Sequence, residues 1–482
     1  MVRVRNHPSY LIFMSTSTRI SQLAMTAALG GLLFGYDTAV ISGTVSALNA
    51  VFIDPMGLEP TQANAWLGFL VSCALIGCVI GGAFAGLVSA RFGRKKALLT
   101  SAVLLFVSAL GSAWPEFLFG MPGSMGADAM TPFILYRILG GIGVGMASML
   151  SPMYIAEIAP AEHRGRLVSW NQFAIIGGML VVYFVNWGIA RVGDESWLFS
   201  TGWRWMFASE ILPASVFFAL LLRIPESPRY LMMVNRVEEA KAVLAELNPP
   251  AEVDKLARDI SESVANPVKT PILHYGFGIL LIGMVLSAFQ QFIGINVVLY
   301  YAPEIFKNLG STTDSALLQT ILVGAVNLAF TLVAIRTVDR WGRKPLQIVG
   351  ALMMALAMFG LATSFQLESL GYWALVAMLF YIAGFAMSWG PVTWVLLSEL
   401  FPNSIRSKAL ALAVAVQWIA NYAVSFTFPI LNNHPILNAQ FHNGFVYWIY
   451  GVMGLLAAVF VWKWIPETKG KSLEDLERIW RK

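Results

Sequence analysis

The chain runs to 482 residues, of which 57% are hydrophobic and only 12% charged. A soluble domain carries roughly a quarter charged residues, so a soluble globular protein is excluded. The net charge of +5 is no nucleic-acid signal because it collects in particular loops, and Cys73 and Cys78 share one apolar run with no histidine beside them, which argues against a disulfide framework, a metal site or a cofactor.

Residues 1–18 are too short and polar to span a bilayer, and their apolar patch at 10–14 is shorter than a signal-peptide core. Met14 is a second candidate start, and the first span would serve as an uncleaved signal anchor. Apolar runs of the roughly 20 residues that hydrocarbon demands lie near 20–48, 65–89, 97–113, 132–157, 167–190 and 205–224. A second set lies near 275–301, 316–337, 346–364, 373–398, 408–430 and 444–465. The expected fold is all-α: twelve transmembrane helices in two six-helix pseudo-symmetric halves. The division is a tail at 1–19, a first half at 20–224, a linker at 225–272, a second half at 273–466 and a tail at 467–482.

Within the linker, 237–247 sets apolar residues at helical spacing among mixed charges, which predicts an amphipathic surface helix. Pro249-Pro250 ends it, and a second helix is expected at 252–264. These helices either only tie the halves together or regulate them. A capped helix start is expected at 472–478.

Three charged motifs occur twice in one order, each just past an apolar run. Arg91-Phe92-Gly93-Arg94-Lys95 returns as Arg340-Trp341-Gly342-Arg343-Lys344. The run from Ala156 and Glu157 to Arg164 and Arg166 returns as Ser398 and Glu399 to Arg406 and Lys408. Pro225-Glu226-Ser227 returns as Pro466-Glu467-Thr468. Such duplication is the mark of a transporter whose site lies between its halves. The gaps at 49–65, 114–131, 364–372 and 431–443 hold no Lys or Arg, whereas 223–272 holds seven. Basic loops stay in the cytoplasm, so both termini are expected there. The charge set Arg91, Arg94, Glu157, Arg164, Arg340, Arg343, Glu399 and Arg406 either determines topology or forms a cytoplasmic latch that breaks when the inside opens. Gly77, Gly81, Gly82 and Gly86 line one side of the second span, and Gly140, Gly141, Gly143 and Gly145 crowd the fourth; both sets suit close packing and sliding of helices.

Charge at bilayer depth is expensive and by default functional. Asp37, Arg137 and Glu210 each sit in an apolar run of the first half. One cation and two acids make a plausible buried triad, either a structural network or a proton-coupling device. The second half carries neutral hydrogen-bonding groups instead: Gln290, Gln291 and Asn296 around Gly294, then Tyr300 and Tyr301, Asn327, Gln417 with Trp418, and Asn421. Gly294 suits a discontinuous helix. Trp389-Gly390-Pro391-Val392-Thr393-Trp394 breaks the tenth span and offers an indole N–H, and Gln172 is the first-half counterpart. Amides and indoles suit a neutral, hydroxyl-rich ligand such as a sugar or polyol, although any one of them also serves as a helix–helix hydrogen bond.

At these residues the chain resembles the sugar porter family of the major facilitator superfamily. The likeness covers about 20–475. It rests on Gly31-Leu32-Leu33-Phe34-Gly35-Tyr36-Asp37, the two basic motifs with Asp339 before the second, Pro225-Glu226-Ser227-Pro228-Arg229, Gln290-Gln291-Phe292-Ile293-Gly294-Ile295-Asn296 and Pro466-Glu467-Thr468-Lys469-Gly470. The resemblance implies proton-coupled import of a monosaccharide, D-xylose first and a hexose second, by alternating access. It implies sugar contacts from Phe34, Gln172, Gln290, Gln291, Asn296, Asn327, Trp394, Gln417 and Trp418, with Asp37 as the proton-binding acid, Arg137 its partner and Glu210 tuning that arginine. Partners are then the monosaccharide, the proton and the lipid of a bacterial inner membrane, with a monomer expected. Two departures stand out: Ala90 replaces the acid usual before Arg91, and Met179 stands where a glutamine is expected, seven residues after Gln172 on one helix face. The rivals are a proton-independent facilitator and a non-transporting sugar receptor; an enzyme is disfavoured because no nucleophile–base pair or phosphate loop is present.

Overall fold

The computed structural model describes residues 8–118, 120–121, 123–160, 163–265, 270–368, 371–402 and 404–470, with side chains from residue 18 onward. The helix expected at 472–478, and Ala161, Glu162 and Asn403 of the repeated motifs, lie outside the described residues. All regular structure among the described residues is helical. Among the described residues, twelve helices are long and apolar enough to cross a bilayer: Thr18–Gly43, Pro60–Phe92, Arg94–Ala113, Gly126–Ile158, Arg164–Ala190, Glu195–Leu221, Phe277–Asn308, Thr313–Trp341, Arg343–Gln366, Tyr372–Leu400, Arg406–Asn432 and Phe445–Trp464.

Several of these run beyond their apolar centres. The sixth span opens at Glu195 rather than 205 because Asp194 caps it, accepting from the Trp197 amide at 2.8 Å. The apolar run that begins the chain's first span continues past Gly43 into a separate short helix, Val45–Met56.

Two spans are discontinuous. The seventh is made of Phe277–Phe292 and Ile295–Asn308, and Gly294 joins them in the left-handed region at φ 91°, a conformation that a side chain would strain. The tenth is made of Tyr372–Met387 and Pro391–Leu400, with Pro391 at the first turn of the second piece, where its missing N–H costs no helical bond. The two breaks are tied to each other. The Tyr381 hydroxyl donates to the Ile293 carbonyl at 2.8 Å, and the Gln290 amide donates to the Trp389 carbonyl at 2.8 Å. Carbonyls freed by each break thereby find donors on the other span.

Small residues set the packing of the second and fourth spans. A methyl group on Gly77 would meet the Ile138 carbonyl oxygen at 2.1 Å, and one on Gly141 would meet that of Ala74 at 1.8 Å. Gly86, by contrast, faces open space.

Three helices form the linker: Pro228–Met233, Val237–Leu247 and Pro250–Ala265. Leu231, Met232, Ala240, Leu244 and Ala257 build a small core between them. Glu246 accepts from Arg19 at the start of the first span, so the linker marks one face of the molecule. On the opposite, far face the two halves are joined. The Ser46 hydroxyl meets the Glu304 carboxylate, and Lys307 Nζ donates to Ser46 Oγ at 2.7 Å. Thr313 donates to Glu195 at 2.9 Å, Trp187 donates to Asp314 at 3.1 Å, and Asn433 donates to Asn64 at 2.9 Å.

Candidate functional site

In the first half, Asp37, Arg137 and Glu210 converge from the first, fourth and sixth spans and are all at most 2% exposed. Arg137 Nη1 donates to Asp37 Oδ1 at 2.7 Å, and its Nη2 to the Asp37 carbonyl at 3.3 Å. The guanidinium lies over the Phe207 ring at 5.4 Å. Glu210 stands where the sixth span tightens between Trp203–Ala208 and Ile211–Leu221. Asp37 Oδ2, both Glu210 carboxyl oxygens and Arg137 Nε have no hydrogen-bond partner. Two carboxylates against one guanidinium would leave an excess negative charge in the interior, at high desolvation cost.

The second half brings amides together around the two breaks. Gln290 and Gln291 are buried at the end of Phe277–Phe292. Asn296 Nδ2 donates to Gln291 Oε1 at 2.5 Å, which leaves the Gln291 NH2 group free to donate. Gln290 Oε1 and Gln417 Oε1 are buried without partners. Asn327 is buried on the eighth span. Trp394 is 36% exposed, and Gln172 is half-buried on the fifth span. Phe34, from the first half, lies 5.5 Å from the Trp418 ring. Two aromatic groups do other work. Tyr301 packs its ring on Phe428 at 4.8 Å and donates its hydroxyl to the Ser425 carbonyl at 3.0 Å. The Trp389 indole is fully buried and donates to the Gln347 carbonyl at 2.9 Å, so of the two tryptophans beside the break only Trp394 keeps a free N–H. Tyr300 accepts from Asn421 at 3.3 Å.

At the linker face, the three repeated motifs of each half fold into one cluster. Arg94 grips Glu157 through Nε and Nη2, both at 2.9 Å, and Arg343 grips Glu399 at 2.9 Å and Asp339 at 3.0 Å. Ala90, at the position matching Asp339, gives Arg94 no such second partner. Glu226 accepts from the amides of Arg94 and Lys95 at 2.9 and 3.1 Å. Glu467 accepts from those of Arg343 and Lys344, both at 3.1 Å. Each carboxylate thus caps the positive end of a span. Ser227 bonds Glu157, and Thr468 donates to Glu399 at 2.6 Å. The recurrence of Glu226 and Glu467 after each sixth span was the signal for this capping role, and sequence reasoning assigned them none. Arg164 is exposed, the Arg91 guanidinium lies on Phe92, the exposed Arg340 gives its carbonyl to Lys469 at 2.6 Å, and Arg406 donates to the Phe401 carbonyl at 3.1 Å. Among the described residues, the ion pairs of this charge set lie inside each half and tie that half's helix ends together, while hydrogen bonds joining half to half gather on the far face, with one more buried between Tyr183 and the Leu299 carbonyl.

A profile of the sugar (and other) transporter family matches residues 23–480. The chain is 58% identical over 475 residues to the D-xylose-proton symporter of Escherichia coli K12, covering 96% of each chain. It is 43% identical over 470 residues to the glucose facilitated diffusion protein of Zymomonas mobilis, covering 97% of this chain and 98% of that one. Its fold superposes with a TM-score of 0.86 on the E. coli xylose transporter XylE in a partially occluded inward-open conformation, at 56% identity, covering 94% of this chain and 99% of the other. With twelve helices, a duplicated charge cluster and a match along nearly the whole length, this chain belongs to the sugar transporter family.

Proposed function

We propose that the protein imports D-xylose together with a proton across the cytoplasmic membrane by alternating access. The observation that carries this reading is the division of the buried polar groups: an Asp37–Arg137 ion pair beside Glu210 in one half, and a neutral amide cluster around two helix breaks in the other. The linker face is cytoplasmic, both termini lie there, and the protein works as a monomer. The far face, joined by cross-half hydrogen bonds, is the outside, so the structure is in its inward-facing state. The sugar sits between Phe34, Gln172 and the second-half groups Gln290, Gln291, Asn296, Tyr300, Asn327, Trp394, Gln417 and Trp418. Tyr301 supports the site from behind.

In the outward-facing state, a proton from the more acidic exterior binds at Asp37. The neutral acid no longer holds Arg137, which turns to Glu210, and the halves rock inward around the sugar. Proteoliposome uptake of labelled xylose and glucose, with and without an imposed pH gradient, tests this: xylose accumulates only with the gradient inward. A second reading, proton-independent passage of a hexose, is favoured by the likeness to the glucose facilitator. Sugar-driven alkalinisation of the medium separates the two, since only symport consumes external protons.

A further inference from the structure

The break in the tenth span is held by the ninth. Trp389 donates its indole N–H to the Gln347 carbonyl at 2.9 Å. The Gln347 side chain, itself fully buried, donates through Nε2 to the Thr393 hydroxyl at 2.9 Å. One bond lands before Pro391 and the other after it, so Gln347 brackets the break. Gly350, one turn along the ninth span, makes room for this: a methyl group there would meet Ser388 Oγ at 1.7 Å. Ser388 in turn donates to the Gly384 carbonyl at 2.6 Å, capping the first piece of the span.

The bracketed break presents two carbonyl oxygens to Gln290. Its Nε2 lies 2.8 Å from the Trp389 oxygen and 3.5 Å from that of Gly390. Two acceptors facing one end of a carboxamide admit only the NH2 group there. The Gln290 carbonyl oxygen is therefore turned to the other side, where it is buried and has no protein partner. Gln291 is the reverse case, because Asn296 occupies its oxygen and leaves its NH2 group.

We propose that Gln347 and Thr393 are positioning residues for sugar recognition: by bracketing the tenth-span break they orient Gln290 so that its carbonyl oxygen accepts a hydrogen bond from a sugar hydroxyl. This rests on the assignment of Gln290 to the sugar site. Neighbouring glutamines then present opposite polarity, an acceptor at Gln290 and a donor at Gln291. The ligand must donate a hydroxyl to the first and accept with a second oxygen from the other.

The test is calorimetric titration of D-xylose into the purified full-length protein. Thr393→Val keeps the shape but removes the acceptor for Gln347, and should weaken binding about two- to tenfold, the range of one hydrogen bond. Thr393→Ser, which restores the hydroxyl, should bind as the parent does; its normal binding also shows that a change at this position is tolerated by the fold. In a Gln290→Ala background, Thr393→Val should change affinity by less than about twofold, because its effect passes through Gln290. If Thr393→Val binds normally, or weakens binding equally in both backgrounds, the positioning role is refuted while the sugar site stands. If Gln290→Ala alone leaves affinity unchanged, the sugar assignment fails and the proposal falls with it.

Discussion

The ring of Phe34 lies 5.5 Å from the ring of Trp418, tilted by 50°. Phe34 precedes Asp37 by about one turn on the first span, and Trp418 follows Gln417 on the eleventh. The helix that carries the buried acid thus touches the eleventh span of the other half, and on the proposed reading a sugar beside Trp418 bears on the span that holds Asp37.

Asp37→Asn keeps the shape and removes the exchangeable charge. Arg137 retains Glu210 as a buried counter-charge, so the fold survives. Accumulation driven by a pH gradient is expected to vanish, while sugar exchange between equal pools continues. Counterflow and gradient-driven uptake measured on the same vesicles check this, and undiminished accumulation would refute proton coupling through Asp37.

Met179 lies two turns beyond Gln172 and is 8% exposed, packed in the core. A flexible thioether rewards no particular hydroxyl and tolerates the extra hydroxymethyl group of a hexose. Met179→Gln is expected to raise preference for xylose over glucose by about 1 kcal/mol, the worth of one hydrogen bond. Competition uptake reads the ratio directly, and no change would place Met179 in a helix interface.

Glu116 anchors the loop between the third and fourth spans. Its side chain is fully buried and meets Arg204 in a two-pronged pair at 2.8 and 2.9 Å, with the Gly123 amide donating at 3.1 Å. Burial pushes the carboxyl up, but the Arg204 guanidinium and the amide outweigh it and hold it below its ordinary 4.5. A carboxylate with a lowered folded value stabilises fully above the ordinary one and stops doing so as pH falls through the lowered one. Glu116→Gln, which leaves Arg204 without its counter-charge, is expected to destabilise the protein near neutral pH. The gap in thermal midpoint between parent and variant should narrow on acidification below 4.5; a gap constant with pH would show that the charge does not matter.

Ser46 is the one first-half member of the outer cluster with Glu304 and Lys307. Ser46→Ala leaves the Glu304–Lys307 pair within the second half but removes its tie across the halves. The outward-facing population is expected to rise a few-fold, as for about 0.5–1.5 kcal/mol of lost bonding. Distances between spin labels on the outer ends of the second and eighth spans measure it, and an unchanged distribution would deny the cluster a gating role.

Much of this architecture was legible because lipid demands long apolar runs, and the duplicated motifs marked their ends. Helix ends were less legible. The sixth span opens on Glu195 and Arg204, whose charges interrupt the apolar signal although Asp194 and Glu116 satisfy the chain there. The break at Gly294 was readable from a glycine among amides. What those amides do to one another was not. The bond from Gln290 to Trp389 joins residues far apart in sequence, and neither periodicity nor composition carries such pairings. For the same reason Tyr301 resembled a ligand contact in sequence, whereas its hydroxyl is taken by Ser425.

The triad of Asp37, Arg137 and Glu210 lies wholly in the first half, while both broken helices and most of the amides lie in the second. On the proposed reading, ion chemistry and most of the ligand chemistry therefore belong to separate halves that meet at an interface. On the proposed reading, a lineage can exchange active accumulation for passive entry by altering a charge or two in one module, with the sugar reader untouched. Its characteristic failure would be slippage, in which sugar still crosses and the proton no longer has to follow.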